Sequence, residues 1–334
     1  MSRVAITLVF EDGAATQVFA QEGQTIVEAA QEAGLNLLTD CANGDCGTCM
    51  GYCTAGELDL GDYDPFVLTE DEVDDGAVLC CIGTAKSDVV IELPYDSSHA
   101  DAPEEDPQQG RIIALERVAE ETMQLVVEVP NVVHFLPGQY VRLQAPGLDS
   151  WRSYSMANES DQRLLNFYIR LVPGGQFSEW LLNEAQVGAE LEVSPPRGAF
   201  FLRSDTQPRL FIAGGTGLGP FLSMLKSLPQ PCEDAGAAPI HLLAGFRSGQ
   251  HVFGLDELKA LQKRLPHLQV HLATEANAPE GCHTGYATEL VSNLELPANT
   301  QVYVCGPPPM VEAARSAVLA AGVKKDRIYC ERFN

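Results

Sequence analysis

The stretch Asp40–Cys53, DCANGDCGTCMGYC, sets four cysteines within thirteen residues. Cys41, Cys46 and Cys49 fall at C-x4-C-x2-C, the spacing of a plant-type [2Fe–2S] ligand run. Glycines interleave with them, which lets the backbone curl around a cluster and bring amide groups to its sulfurs. A structural zinc site draws its ligands from two separated C-x2-C pairs or from mixed Cys and His. Neither pattern is present, and no histidine precedes Tyr95. A cluster needs a fourth thiolate, and Cys53, Cys80 and Cys81 are the candidates in reach.

Outward from that loop the chain organises itself by pattern. RVAITLVF, a turn at Glu11-Asp12-Gly13 and ATQVFA read as a hairpin; TIVEAAQEAG has helical spacing and a Gly34 stop; DVVIELP reads as a closing strand. SSHADAPEEDPQQG, Ser97–Gly110, is polar, acidic and without apolar periodicity, which predicts a linker over 98–109 between a first domain, 1–97, and the rest. RIIALERVA, MQLVVEVP, QYVRLQAP and LLNFYIRLV then predict a small antiparallel barrel over 110–205. From 206 to 334 the strands RLFIAGG, IHLLAGF, QVHLAT and QVYVCG alternate with the helical segments PFLSMLKSL, LDELKALQKRL and PMVEAARSAVLAAG. That alternation predicts a doubly wound parallel α/β sheet.

Composition limits the function classes. The 334 residues carry a net charge of −25 and ten cysteines. Nineteen of the first hundred residues are Asp or Glu, against only Arg3 and Lys86. Such a surface repels nucleic acid and anionic membranes, and it steers a basic protein partner. No apolar run approaches the ~20 residues of a membrane span, and the N-terminus lacks a signal-peptide pattern. The expectation is a cytoplasmic protein with reduced thiols.

Two further glycine-rich motifs bear on chemistry. LFIAGGTGLGP, Leu210–Pro220, reads as strand, glycine loop and helix start, with Gly214, Gly215, Thr216, Gly217, Leu218 and Gly219 placed to admit a pyrophosphate at a helix N-terminus. It departs from G-x-G-x-x-G, which argues against an ordinary Rossmann dehydrogenase. In the middle region PGQY, Pro137–Tyr140, precedes RSYS, Arg152–Ser155, and IRLVPGGQFSEWL, Ile169–Leu181, follows. VYVCGPPPM, Val302–Met310, and a terminal ERF, Glu331–Phe333, complete the set.

With these motifs in this order the chain resembles the reductase components of bacterial ring-hydroxylating dioxygenases of the benzoate, toluate, anthranilate and halobenzoate type. They belong to the ferredoxin–NADP reductase superfamily and carry an N-terminal plant-type ferredoxin domain. The resemblance covers nearly the whole sequence. It implies a β-grasp ferredoxin domain, a six-stranded flavin-binding barrel and a nucleotide-binding domain, holding a [2Fe–2S] cluster, FAD and NADH. It implies that Arg152 grips the FAD pyrophosphate, that Tyr154 stacks on the flavin and that Ser155 lies near its reactive nitrogen. Tyr140, Ser153, Ile169, Arg170, Leu171, Gly174, Gly175, Gln176 and Ser178 would complete the FAD site. Cys305, with Gly306 and Pro307, would align the nicotinamide, and Phe333 would cover the flavin face. Tyr154, Ser155, Cys305 and Phe333 are thus the catalytic candidates.

The resemblance also implies a relay from NADH through FAD and the cluster to a terminal Rieske-type oxygenase. No C-x-H…C-x2-H pair is present, so this chain is not itself the Rieske component. The reductase of a soluble diiron monooxygenase shares the domain order and stays open, as does a reductase of sugar-nucleotide deoxygenation. A non-enzymatic electron carrier is the alternative from another class. The second nucleotide-domain strand ends LLAGFRSGQ without an acidic residue, so Arg247 could accept a 2′-phosphate, although the resemblance favours NADH. Plant-type domains place the distant ligand seven residues before the Asp of a closing Ser-Asp pair. Counting back from Asp88 selects Cys81 to join Cys41, Cys46 and Cys49. Alternation along an extended segment would turn Cys80 into the core. Cys53, Cys232, Cys282 and Cys330 read as buried or incidental.

Overall fold

The structure is a computed structural model and describes residues 3–100, 106–203, 206–230 and 238–333. Its chain divides into two compact units, residues 1–105 with 197–199, and residues 106–196 with 200–334. Cys232 and residues 101–105 of the expected linker lie outside the described residues.

The first unit contains β1 (Val4–Phe10), β2 (Ala15–Ala20), α1 (Ile26–Glu32), β3 (Met50–Ala55), β4 (Leu58–Asp59), α2 (Glu70–Asp74), β5 (Ala77–Leu79), β6 (Thr84–Ala85) and β7 (Val89–Leu93). Its main sheet runs β2-β1-β7-β3-β5, with β1 and β7 parallel, and β4 pairs with β6 apart from it. This is the expected β-grasp arrangement. Thr25 starts α1 through a capping box: its hydroxyl accepts from Glu28 N at 3.2 Å and its own N–H donates to Glu28 Oε2 at 2.9 Å. Such a cap contributes about 1 kcal/mol. The helix then buries Ile26, Val27, Ala29 and Ala30, which with Ile6, Leu8 and Ile91 form the kind of apolar face that drives folding.

The second unit opens with β8 (Gln108–Ala119), β9 (Thr122–Val133), β10 (Tyr140–Gln144), β11 (Arg152–Ser155), β12 (Gln162–Arg170), α3 (Gln176–Asn183) and β13 (Glu190–Val193). These six strands form one antiparallel sheet in the order β11-β10-β13-β8-β9-β12. The two ends of that order approach each other: Ala157 N donates to Asn166 O at 2.8 Å, and Asn166 N to Asn158 Oδ1 at 2.8 Å. The sheet thereby curls into the expected barrel, closed by single hydrogen bonds rather than by a full ladder.

After it come β14 (Arg209–Gly214), α4 (Leu218–Ser227), β15 (Ile240–Ser248), α5 (Leu255–Arg264), β16 (Leu268–Ala276), β17 (His283–Thr284), β18 (Gln301–Gly306), α6 (Pro308–Ala320) and β19 (Ile328–Arg332). All the strands pair in parallel in the order β17-β16-β15-β14-β18-β19. Strand order reverses at β14, between β15 and β18, so the ligand crevice of this sheet lies beyond Gly214 and Gly306. No helix among the described residues is long and apolar enough to cross a membrane.

The described residues run into the expected linker from both sides. Ser97–His99 form a 3-10 turn held by Asp12, whose Oδ2 accepts from Ser97 Oγ at 2.7 Å. Gln108 and Gln109 already pair with β13, a ladder that their polar side chains do not announce. β9 also continues past Pro130. The proline is accommodated because the ladder to β8 stops at Glu128 and that to β12 lapses from there until Val133, so its missing N–H costs no sheet bond.

Candidate active site and cluster loop

In the first unit the cysteine loop runs from Asp40 to Cys49 and leads into β3, and Gly44 shows why its composition matters. Its φ of +87° is left-handed, and a Cβ there would stand 2.8 Å from Ile82 Cδ1. Cys81 N–H donates to Cys49 Sγ at 3.4 Å, and the Cys81 thiol interacts with those of Cys49 and Cys41. Cys46 interacts with Cys41 in turn, and its Sγ donates to Thr48 Oγ1 at 3.4 Å. The four sulfurs of Cys41, Cys46, Cys49 and Cys81 therefore face one another. Among the described residues no three His, Cys, Asp or Glu groups are arranged to hold a single metal ion. A two-iron cluster is held as two pairs of thiolates across a larger core, and the amide-to-sulfur bond at Cys49 is of the type that tunes such clusters. The residues fit a [2Fe–2S] group.

The neighbouring cysteines separate cleanly. Cys53 lies on β3 and its Sγ donates to Ala55 O at 3.3 Å. Cys80 is buried in the core, its N–H donating to Cys49 O and its carbonyl accepting from Val27 N, each at 3.0 Å. Burial pushes the Cys80 thiol up to about 12, whereas the hydrogen bond from Cys49 draws Cys81 down to about 7. Burial pushes Cys46 up to about 11, and Cys49 is raised by the hydrogen bond it gives Cys81 and then by burial. The expected reason for the divergence of Cys80 and Cys81 needs correction. They sit in a turn after β5, closed by Gly83 N donating to Leu79 O at 2.8 Å, not on an extended segment. The turn, rather than strand alternation, sends one side chain inward and the other toward the loop.

In the second unit four distant motifs converge. Gly217 of the glycine loop is packed so closely on the Cys-Gly-Pro loop that a Cβ would stand 2.2 Å from Cys305 O. Any side chain there would push the two loops apart. β11 lies against the start of α4, with Ser155 O 3.8 Å from where a Gly219 Cβ would be. β18 and β19 pair Cys305 with Glu331, and Phe333 N donates to Gly306 O at 3.0 Å. Glu331 Oε2 accepts from Ser155 Oγ at 3.3 Å and from Cys305 Sγ at 3.7 Å. One carboxylate thus joins the flavin-motif serine to the nicotinamide-motif cysteine. Burial, and then the Glu331 charge, raise the Cys305 thiol well above its ordinary value, so it stays protonated. Phe333 packs, partly buried, on the cluster that contains Ala157, Leu218 and Cys305.

Other expected site residues take varied positions. Tyr154 rests on Phe177 of α3, centroids 5.2 Å apart, and burial raises its hydroxyl pKa. Arg152 is exposed at the start of β11, its Nη1 donating to Trp151 O at 2.9 Å. Ser153 is exposed, and Tyr140 is buried opposite Ser155. Ile169 and Leu171 fill the barrel core, where Ile169 pairs with Met123 of β9 and Leu171 N donates to Glu121 O at 2.8 Å, while Arg170 is exposed between them. Gly174 and Gly175 lead into α3, where Ser178 Oγ accepts from Val172 N at 2.9 Å and Gln176 Oε1 from Ser150 Oγ at 3.3 Å. Gly214 and Gly306 face Met310 Sδ, Gly215 and Thr216 lie in a 3-10 turn, Leu218 is buried, and Pro307 caps α6. Arg247 is ion-paired with Glu121 at 3.0 Å.

Comparison with known proteins identifies the three domains. A 2Fe-2S iron-sulfur cluster binding domain matches residues 9–86, an oxidoreductase FAD-binding domain 109–202 and an oxidoreductase NAD-binding domain 211–316. The toluate 1,2-dioxygenase electron transfer component of Pseudomonas putida is 35% identical over 328 residues, 97% of this chain and 96% of that protein. The chain belongs to this family of dioxygenase reductase components. The reductase is also 34% identical over 330 residues to the propane 2-monooxygenase reductase component of Mycolicibacterium goodii, covering 94% of this chain and 93% of that one. Among solved structures, the Amycolatopsis cytochrome P450 reductase GcoB aligns with a TM-score of 0.74 at 26% identity, covering 99% of this chain and 98% of that one. The reductase is therefore an iron–sulfur flavoprotein oxidoreductase with nicotinamide-, FAD- and [2Fe–2S]-binding domains.

Sequence reasoning missed Glu331 as a site residue. The terminal ERF carried a signal, but the role of its carboxylate depends on the β18–β19 register that sets it beside Cys305. β13 and β19, both short, were not marked by pattern either.

Proposed function

We propose that this chain is a cytoplasmic NADH-dependent reductase that delivers electrons to the Rieske-type terminal component of an aromatic-acid dioxygenase. The observation that carries the reading is the convergence of RSYS, the glycine loop, the Cys-Gly-Pro loop and the terminal ERF on Glu331. FAD held at this site would supply acceptance of a two-electron hydride and its release as single electrons. The chain's own residues supply position and exclude water. Glu331 holds Ser155 and Cys305 in fixed orientation, Cys305 presents a protonated thiol, and Tyr154 offers a ring braced by Phe177. Cys41, Cys46, Cys49 and Cys81 are the proposed cluster ligands; Arg152, Gly174 and Gly175 are proposed for FAD; Gly214–Gly219 and Cys305–Pro307 are proposed for the nicotinamide coenzyme.

The comparably similar propane 2-monooxygenase reductase favours a second reading, in which the acceptor is a diiron hydroxylase. The test mixes the loaded reductase with purified Rieske and diiron terminal components and follows NADH-dependent hydroxylation. Turnover of benzoate or anthranilate with the Rieske partner is expected. Turnover only with the diiron partner would replace the first reading with the second. Failure to reduce ferricyanide with NADH alone would leave only an electron carrier.

A further inference from the structure

At the carboxyl end of β15 the chain runs Phe246-Arg247-Ser248, where a sheet of this kind meets the adenosine ribose of its coenzyme. An acidic residue there grips a ribose diol, and an arginine accommodates a 2′-phosphate. This strand supplies only the arginine. The carboxylate comes from the other sheet of the same unit: Glu121, on the turn joining β8 to β9, accepts from Arg247 Nη1 at 3.0 Å. Its other oxygen faces Arg170 Nε at 3.9 Å and His251 Nε2 at 3.8 Å. Neighbouring Glu120 stands 3.7 Å from His251 Nδ1, which also bonds Ser248 Oγ at 2.8 Å. Backbone bonds fix the turn in place, Glu120 N donating to Gln250 O at 3.0 Å and Leu171 N to Glu121 O at 2.8 Å.

Without Glu121 this cluster would be Arg247, Arg170 and His251, with Glu120 near His251 alone. The two arginines would then offer the chemistry of a phosphate site. With it, the cations are already answered by a fixed anion. The side chains of Arg247 and Glu121 are 56% and 32% exposed, so their pairing adds little to folding stability. Its consequence is electrostatic and local.

We propose that Glu121 of the flavin barrel is the specificity-determining residue for the 2′ position of the coenzyme. It occupies Arg247 and sets a negative charge where a 2′-phosphate would enter, so selectivity is imposed on the nucleotide sheet from its neighbour. This rests on the NADH reading above. It identifies the acid that the β15 sequence lacks.

The test measures kcat/KM for NADH and NADPH, with ferricyanide as acceptor, on the loaded full-length wild type, Glu121→Gln, Arg247→Ala and the double variant. Glu121→Gln is expected to shift the NADH-to-NADPH ratio by about tenfold or more toward NADPH, a difference of about 1.4 kcal/mol. The double variant should lose that gain, because the phosphate then lacks its arginine. Arg247→Ala alone should move the ratio further toward NADH, and this holds the proposal to account if Glu121→Gln fails to retain flavin. An unchanged ratio in an NADH-preferring enzyme overturns the role of Glu121. A wild type that already prefers NADPH overturns the coenzyme reading beneath it, and the two failures are distinguishable.

Discussion

The cysteine loop and the proposed hydride-transfer site are built by opposite strategies. Three of the four facing sulfurs come from nine consecutive residues, Cys41–Cys49, and only Cys81 arrives from elsewhere. The site around Glu331 draws Ser155, Gly217, Cys305 and Phe333 from segments spread over more than half the chain. A local site is specified by spacing and turn chemistry, and it tolerates change outside its loop. A dispersed site is specified by sheet register and packing, so changes far from the chemistry reach it. Each prediction below strains one side of that contrast.

The largest effect is expected in the local site, where each sulfur is irreplaceable. Cys81→Ala removes the thiol that faces Cys49 and Cys41 and should abolish the cluster, seen as lost visible absorption, EPR signal and iron content. FAD content and ferricyanide reduction should persist, because they belong to the other unit. Cys80→Ala, one residue away, should keep the cluster signals, since that thiol lies in the core. The reverse pattern would show that the turn after β5 directs the two side chains the other way.

In the dispersed site the corresponding change is Glu331→Gln. The amide keeps the size but loses the charge, and it no longer accepts from Ser155 and Cys305 as a carboxylate does. Misplacement of aligned groups by about an ångström costs about a hundredfold in rate. Stopped-flow reduction of the flavin by NADH should slow by that order, with FAD content unchanged. A rate within about twofold of wild type would reduce Glu331 to a structural residue.

How much of this was legible in the sequence follows the same contrast. C-x4-C-x2-C was readable because all its chemistry lies within one loop. The barrel and the doubly wound sheet were readable because their strands are apolar and punctuated by Gly and Pro, whereas the β-grasp was implied by the family resemblance alone. Glu331 was not readable as a site residue, because its position is set by a pairing of β18 with β19 that no local pattern marks. Arg247 looked free to take a phosphate, and the carboxylate that answers it lies 126 residues upstream. Cys80 and Cys81 do diverge, but through a turn, which separates neighbours as well as a strand does and leaves no period to read.

A smaller effect is expected where the two sheets of the second unit are joined. Lys226, near the end of α4, donates to Ala157 O and Glu257 Oε1, each at 2.7 Å, and Tyr168 OH donates to Glu257 Oε2 at 2.6 Å. Ala157 lies two residues past Ser155, and α4 begins at the glycine loop, so this network ties both halves of the dispersed site together. Lys226→Met leaves a carbonyl and a partly buried carboxylate without their partner, a loss of about 2 kcal/mol. Thermal release of flavin from the full chain should come roughly 4–8 °C earlier. Lys226→Arg should restore much of it. No shift would mean that apolar packing alone, such as Tyr168 on Phe253 at 4.7 Å, holds the sheets.

The smallest effect concerns the surface of the first unit rather than its loop. Asp59, Asp62, Asp64, Glu70, Asp71, Asp74 and Asp75 are all exposed within seventeen residues, around Phe66, which is 64% exposed. The stretch itself contains no lysine or arginine, and Lys86, which reaches Asp59 at 3.0 Å, offsets one charge of the seven. A field of one sign attracts a partner of the other sign over about a Debye length, and salt screens it. Electron delivery to a terminal oxygenase at subsaturating protein should therefore slow a few-fold as ionic strength rises from about 0.05 to about 0.5 M. Reduction of the flavin by NADH, which occurs in the other unit, should change less over the same series. Transfer that is flat or faster with salt would show that these carboxylates keep the unit soluble without steering it. The local site would then meet its partner through apolar contact, as the exposure of Phe66 would allow.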